Sequence, residues 1–287
     1  MKILVLSPKP PWPPHDGGAV ATMRCIEGLV AGGALVSLMP IRTEKHNPEP
    51  GASPKTFASL QHNKNVTVNT RVRPWRLLAN LLFSDEPYDL IRFHSLQYSN
   101  ALLSLLAKEQ FDIIQCEGLL FSYYVDEIRS ITSSPIVLRA HNIEHRIREM
   151  MADEASGALK KAYLKNLAGR IKKREIFAAR QFDAIVPISE TDFKWFRSAS
   201  PDKPMILSET GADISEPPAY SDNKSLWVGF IGALNWQPNI DGLNWFLARV
   251  WPRVSEALPD ATFHIAGRGA SRSVRKHLCG KNVFISG

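Results

Sequence analysis

Cysteine is scarce in these 287 residues: Cys25, Cys116 and Cys279 lie far apart, with no histidine at zinc-ligand spacing to them. A disulfide framework and a structural zinc are therefore not expected, and a reducing, cytoplasmic setting is. Long apolar runs are also missing. The opening Ile3-Leu4-Val5-Leu6 stops at Ser7 and meets Pro8, Pro10 and Pro11, too short for the core of a signal peptide. No run approaches the ~20 residues that cross a bilayer, so a soluble or peripheral protein is expected. There is no G-x-G-x-x-G turn, and the second predicted strand ends at Ile41-Arg42 without an acidic ribose ligand, which argues against a nicotinamide oxidoreductase. No carboxylate pair has metal-binding spacing, so no metal cofactor is expected. No nucleic-acid-binding signature, short-period repeat or low-complexity tract is present. Hydrophobic residues at 44% and charged residues at 22% describe an ordinary globular chain.

Charge of one sign is in excess. Thirty-five Lys and Arg against 28 Asp and Glu leave a formal net charge of +7. Much of the excess falls between Arg139 and Arg180, including Lys160, Lys161, Lys165, Arg170, Lys172, Lys173 and Arg174. A solvated helix face explains such a run, and so does a face that meets an anionic membrane or an acceptor.

Apolar runs alternate with helical periods along the chain, the pattern of an α/β protein with parallel sheets. Strands are predicted at 2–7, 34–41, 66–72, 112–116, 135–139 and 184–189. Helices are predicted at 18–32, 75–83, 95–108 and 155–181, with one after Ser189 that holds Trp195; 46–63 reads as loop. From 198 to 224 the composition shifts towards Pro, Ser, Asp and Glu, giving domains over 1–202 and 203–287. The second alternation has strands at 226–231, 262–266 and 283–286 and helices at 240–258 and 271–278. Doubly wound sheets commonly run in the order 3-2-1-4-5-6, so this second sheet is expected to be incomplete. Its first strand is then an apolar edge open to a homodimer partner or a missing segment.

The loop Pro10-Pro11-Trp12-Pro13-Pro14-His15-Asp16-Gly17-Gly18 follows the first strand. Asp16 is a helix N-cap, and Gly17 and Gly18 let a phosphate or sugar approach free amides at the positive end of the helix dipole, unless they form a tight turn only. This strand, loop and helix, running into Gly32-Gly33, resembles the amino terminus of retaining GT-B glycosyltransferases, the glycosyl transferase group 1 family. Phe111-Asp112-Ile113-Ile114 with Glu117 is similar to the family's strand ahead of the acceptor region. Arg139-Ala140-His141-Asn142-Ile143-Glu144 is similar to its histidine loop, and 185–192 to the strand and helix that close its first domain. Gly211-Ala212-Asp213 stands at its linker. Gly229-Phe230-Ile231-Gly232-Ala233-Leu234-Asn235-Trp236-Gln237-Pro238-Asn239 resembles the donor-domain opening of an exopolysaccharide-type W-x-P-N subgroup, and 259–269 the strand and turn after it.

The resemblance implies two Rossmann-like domains facing a cleft. It implies transfer of a sugar from a nucleotide-sugar to a glycan or lipid-linked acceptor with retention, in cell-surface polysaccharide synthesis, in the cytoplasm or peripheral on the inner face of the membrane. It makes His141 the catalytic candidate. Gly17, Gly18, Arg268, Asn235 and Asn239 are placed at the donor or phosphate, and Glu117, Asn142 and Glu144 on the acceptor side. Glu144 either orients His145 or an acceptor hydroxyl, or opens a helix; Arg268 is a phosphate cation or a solvated turn; Trp236 lines the donor side or packs. The family's usual Arg and Lys after the donor domain's first strand are absent here, where Ala233 and Asn239 stand. Its acidic E-x7-E segment would fall beyond Gly287, so the chain alone is expected to bind donor weakly. The competing expectation is a non-catalytic remnant or subunit that binds acceptor or membrane.

Overall fold

A computed structural model describes residues 1–14, 16–44, 54–211 and 226–286. The chain divides into two compact units, Met1–Ala212 and Asp213–Gly287. Residues 204–208 run beside the last strand of the first unit, with Ile185 N donating to Pro204 O and Ser208 N to Pro187 O. The first unit therefore keeps residues that the composition shift assigns to 203–287.

The first unit contains β1 (Lys2–Ser7), α1 (Gly17–Ala31), β2 (Leu35–Arg42), α2 (Lys55–Ala58), β3 (His62–Asn63), β4 (Val66–Thr67), α3 (Pro74–Phe83), α4 (Tyr88–Ile91) and α5 (Leu96–Leu106). It continues with β5 (Ile113–Glu117), a 3-10 turn (Leu119–Tyr123), α6 (Val125–Arg129), β6 (Ile136–Ala140), α7 (Glu144–Asp153), α8 (Ala158–Gln181), β7 (Ala184–Pro187) and α9 (Glu190–Ala199). The sheet runs β3-β2-β1-β5-β6-β7 with β4 also on β2, every pair parallel. β1 is central, and Ile3, Leu4, Val5 and Leu6 are all buried, as a strand covered on both faces requires.

Local signals set the ends of these elements. Asp16 accepts from Ala19 N and starts α1. Gly33, at φ +83°, stops it: Gly33 N donates to Val30 O and Ala34 N to Leu29 O, a Schellman ending that needs the left-handed backbone glycine adopts freely. Ser189 accepts from Asp192 N and starts α9. The strand expected over 66–72 ends early, because Asn69 Oδ1 accepts from Arg71 N and turns the chain. Of the stretch 46–63 read as loop, 46–53 lie outside the described residues, while Lys55–Ala58 form α2 and His62–Asn63 form β3.

Below the sheet, Tyr98, Phe121 and Tyr124 form an aromatic cluster with centroids 5.0–6.1 Å apart. Tyr98 Oη donates to Met39 O at 2.8 Å and Tyr124 Oη to Phe93 O at 2.7 Å, so both buried hydroxyls are satisfied.

The second unit holds β8 (Trp227–Ile231), α10 (Gln237–Arg249), α11 (Trp251–Ala257), β9 (Thr262–Ala266), α12 (Arg272–His277) and β10 (Val283–Ser286), in a parallel sheet ordered β10-β9-β8. The single helix expected over 240–258 is two helices. Pro252 lacks the amide that would continue α10, and its ring crowds the preceding turn. Among the described residues β8 has a neighbour on one side only, with Trp227 and Ile231 exposed. Trp251, Phe263 and Phe246 pack as the core, and Trp251 Nε1 donates to Lys281 O.

Phe121→Ala should lower the unfolding free energy of the first unit by about 3–5 kcal/mol. Urea denaturation followed by circular dichroism reads this, and a loss below 1 kcal/mol would refute the central role given to the aromatic cluster.

Candidate functional site

In the parallel sheet of the first unit, β1, β5 and β6 end on one edge, the edge where open α/β sheets take ligands. The sequence places charge there. Gln115 and Glu117 alternate on β5, Arg139 and His141 follow the same period on and just after β6, and Glu117 pairs in register with Arg139. Residues two apart on a strand share a face, so four polar side chains meet where the apolar runs end.

Their centre is the Glu117 carboxylate, fully buried. Oε2 accepts from His141 Nε2 at 2.7 Å, Arg139 Nη1 at 3.1 Å and Thr22 Oγ1 at 3.0 Å. Oε1 accepts from Gln115 Nε2 at 2.5 Å, and the same amide reaches Cys25 Sγ at 3.3 Å. Burial pushes the carboxyl up. The His141 hydrogen bond, the Arg139 guanidinium, the His141 charge and the Gln115 amide outweigh it and hold Glu117 below its ordinary value. An ionised carboxylate accepts only, so His141 Nε2 carries the proton in this contact. Nδ1 of the same ring and Nε of Arg139 are buried without hydrogen-bond partners among the described residues. Such atoms call for an explanation; a bound hydroxyl or oxyanion is one.

Thr22 lies on α1, so the carboxylate ties the start of that helix to His141. Gly17 and Gly18 form its first turn, beyond the carboxyl end of β1. Lys9 Nζ bonds both Asp16 oxygens, at 2.6 and 2.5 Å, bringing a cation to the same turn. Asn142 is exposed beside His141. Glu144 opens α7, its amide donating to Glu175 Oε1 at 2.9 Å. The carboxylate on His145 is Glu175's, with Nδ1 to Oε2 at 2.6 Å, so Glu175 of α8 takes the orienting place considered for Glu144. Burial raises Glu175 to about 7 and Glu144 to about 6.

The remaining candidates lie in the second unit, where the loops after β8 and β9 press together. A Cβ on Gly267 would stand 1.8 Å from Gly232 O, so only glycine allows this approach. Leu234 N donates to Arg268 O at 2.9 Å, and the Asn235 and Arg268 side chains are exposed at this edge. Asn239 Nδ2 donates to Ala233 O at 3.0 Å, which gives it a loop-holding task. Trp236 precedes α10 and is half exposed.

Thr22 and Gln115 carry no site role in the sequence reading, and Arg139 enters it only as the first residue of the histidine-loop match. The available signal was an arginine and a glutamine inside runs that otherwise read as buried strands.

No family model matches the chain. A protein of Klebsiella pneumoniae, named as an uncharacterized 44.6 kDa protein in the cps region, is 24% identical over 286 residues, covering 96% of this chain and 68% of its own length. Among solved structures, sucrose-phosphate synthase from Thermosynechococcus elongatus superposes with a TM-score of 0.66 at 13% identity, covering 100% of this chain and 70% of that one. HepE from Anabaena, solved with UDP-glucose, gives 0.52 at 14% over 100% and 68%. A variant of S. aureus TarM, solved with UDP and Fondaparinux, gives 0.56 at 10% over 99% and 76%. At these identities the likeness is one of fold: this chain has the α/β, parallel-sheet architecture of GT-B glycosyltransferase structures.

Glu117→Gln should destabilise the first unit by about 3–5 kcal/mol, because it leaves the buried Arg139 charge uncompensated. The sign with pH follows from the lowered carboxyl. Its stabilising share is complete above the ordinary value of 4.5 and is lost as pH falls through the lower folded value. Thermal melts between pH 6 and 3 should show wild type losing more stability than the Gln variant; parallel curves would contradict this network.

Proposed function

We propose that the chain is a glycosyltransferase that moves a hexose from a nucleoside-diphosphate sugar to a glycan or lipid-linked acceptor with retention of configuration. The observation that carries the reading is the Glu117–His141 pair at the ligand-binding edge of a GT-B-type sheet, with one ring nitrogen still unpartnered. The neighbours solved with UDP-glucose, and with UDP beside a glycan, support a nucleotide-sugar donor. A role in cell-surface polysaccharide synthesis rests on the W-x-P-N resemblance, and a cytoplasmic setting on the scarce, widely spaced cysteines.

Departure of the diphosphate builds negative charge, and transfer speeds up where preorganised donors meet that charge. In this reading the first-turn amides of α1 at Gly17 and Gly18, with the helix dipole, lie on the side where the sugar reacts. Arg268 offers a guanidinium, and Asn235 an amide, to the phosphates. His141, oriented by Glu117, binds a sugar or acceptor hydroxyl through Nδ1, while Asn142 and Glu144 flank the acceptor. Cationic side chains and amides do the neutralising, without a required metal.

Transfer from UDP- and GDP-hexoses, followed by nucleoside diphosphate release, tests the reading. His141→Ala should lower kcat by about 10²-fold or more, and EDTA should leave the rate unchanged. Absence of both donor binding by calorimetry and transfer would overturn it in favour of a non-catalytic, acceptor-binding role.

A further inference from the structure

Helix α3 is inside out. It spans Pro74–Phe83 and buries none of its side chains. Trp75 is 62% exposed, Leu78 56%, Leu82 63% and Phe83 86%. At 3.6 residues per turn, Leu78, Leu82, Trp75, Ala79 and Phe83 fall side by side on one arc of about 140°. That arc is the exposed one, while Leu77, Asn80 and Leu81 on the opposite arc are part-buried. A helix of a soluble domain turns its apolar stripe inward; this one keeps Leu77 and Leu81 on the inner side and turns its larger apolar arc out.

The orientation is held firmly. Arg170 of α8 donates to the carbonyls of Asn80 at 3.1 Å and Leu81 at 2.9 Å, filling acceptors that a helix end leaves open. Asn80 Nδ2 donates to Glu86 O at 3.0 Å and Arg73 N to Tyr88 Oη at 3.4 Å. The Asn80 side chain and the backbone at both ends of α3 are thus bonded to the body of the unit, with Leu77 and Leu81 on the same side.

Cations surround the apolar arc. Arg71 and Arg73 lead into the helix and are exposed, and Arg76 borders the arc with its guanidinium 5.1 Å from the Trp75 ring centre. On α8, Lys173 and Phe177 lie three and seven residues beyond Arg170, on the same face as that residue; both are exposed. Nearby, Glu86 accepts from Tyr123 Oη at 2.5 Å and lies near Arg174, and Asp85 beside it is exposed.

We propose that α3 is an interfacial helix that seats the first unit on an anionic lipid bilayer. Its apolar arc enters the boundary between headgroups and acyl chains, with Trp75 at the headgroup level. Arg71, Arg73, Arg76 and Lys173 meet lipid phosphates. An outward apolar arc with a cationic border fits that boundary, where both halves are satisfied at once. Charge complementarity decides for a membrane over a second copy of this chain, since a like-charged border would face itself across a two-fold contact. The basic run of α8 contributes as a flank; much of its apolar surface, including Leu164, Leu167, Ile171 and Ala178, is spent on the core.

Vesicle co-sedimentation tests this without reference to sugar transfer. The protein should bind phosphatidylcholine vesicles containing phosphatidylglycerol, bind less as salt rises, and bind pure phosphatidylcholine at least about tenfold more weakly. Leu78→Gln with Leu82→Gln should lower the partition coefficient about tenfold or more while leaving the circular dichroism spectrum and the melt unchanged. Arg73→Ser with Arg76→Ser should weaken binding only where anionic lipid is present. No binding to anionic vesicles, or equal binding by the Leu78/Leu82 variant, would overturn the proposal. So would a wild-type dimer that this variant dissociates, or a fall in its melting temperature, since each shows the arc covered by protein.

Discussion

A carboxylate with no exposed surface organises the first unit. Glu117 is buried, and an unpartnered charge there would cost several kcal/mol. Its partners come from three elements: Thr22 on α1, Gln115 on its own strand, and Arg139 and His141 on and after β6. Each partner requires a particular register. A one-residue slip of β6 against β5 would turn Arg139 to the opposite face of the sheet and leave the carboxylate bare. The interaction therefore fixes strand register, the seat of α1 and the tautomer of His141 together. A residue that looks like one acceptor-side candidate in the sequence is the reason the site has a shape.

How much of this was legible in the sequence depends on the range of the signal. The central strands and α1, α8 and α9 announce themselves through apolar runs and caps such as Asp16 and Ser189, which act within a few residues. The short elements of 118–130 were missed because Leu119-Leu120-Phe121-Ser122-Tyr123-Tyr124-Val125 is apolar and aromatic without a period. Their conformation follows from packing against Tyr98, far away in sequence. In the site, Glu117 and His141 could be found by resemblance. Arg139 stands in the same histidine-loop match, but its pairing, like the roles of Thr22 and Gln115, depends on parallel register across β5 and β6 and on where α1 lands. Glu175 was hidden for the same reason: it sits mid-helix in a basic run and reads as one acid among lysines until α7 is placed above it.

Amphipathic periodicity also hides a sign. The pattern of α3 is apolar over most of its circumference, with Arg76 and Asn80 as the polar sector, and does not say which leucines point inward. In an isolated domain the default is inward. Here Arg170 on the helix carbonyls and Tyr88 on its first turn decide otherwise, and neither is adjacent in sequence.

The reactive edge and the outward helix meet through one short stretch of chain. β5 delivers Glu117, Gly118 turns the backbone at φ +114°, and the 3-10 turn follows at once. From that turn Tyr123 bonds Glu86, which ends the loop after α3, and Ser122 Oγ accepts from Arg174 of α8 at 3.0 Å. Phe121, between them, is a fully buried member of the aromatic cluster. A locally consistent sequence would pair His141 Nδ1 and turn Leu78 and Leu82 inward; breaches of that kind gather where a protein meets something else. Both breaches hang from a single rigid turn, so the position of the apolar arc relative to His141 is set by packing rather than by a linker. If the arc meets lipid, the depth at which His141 stands above the bilayer is set by the contacts of that turn with Glu86 and Arg174.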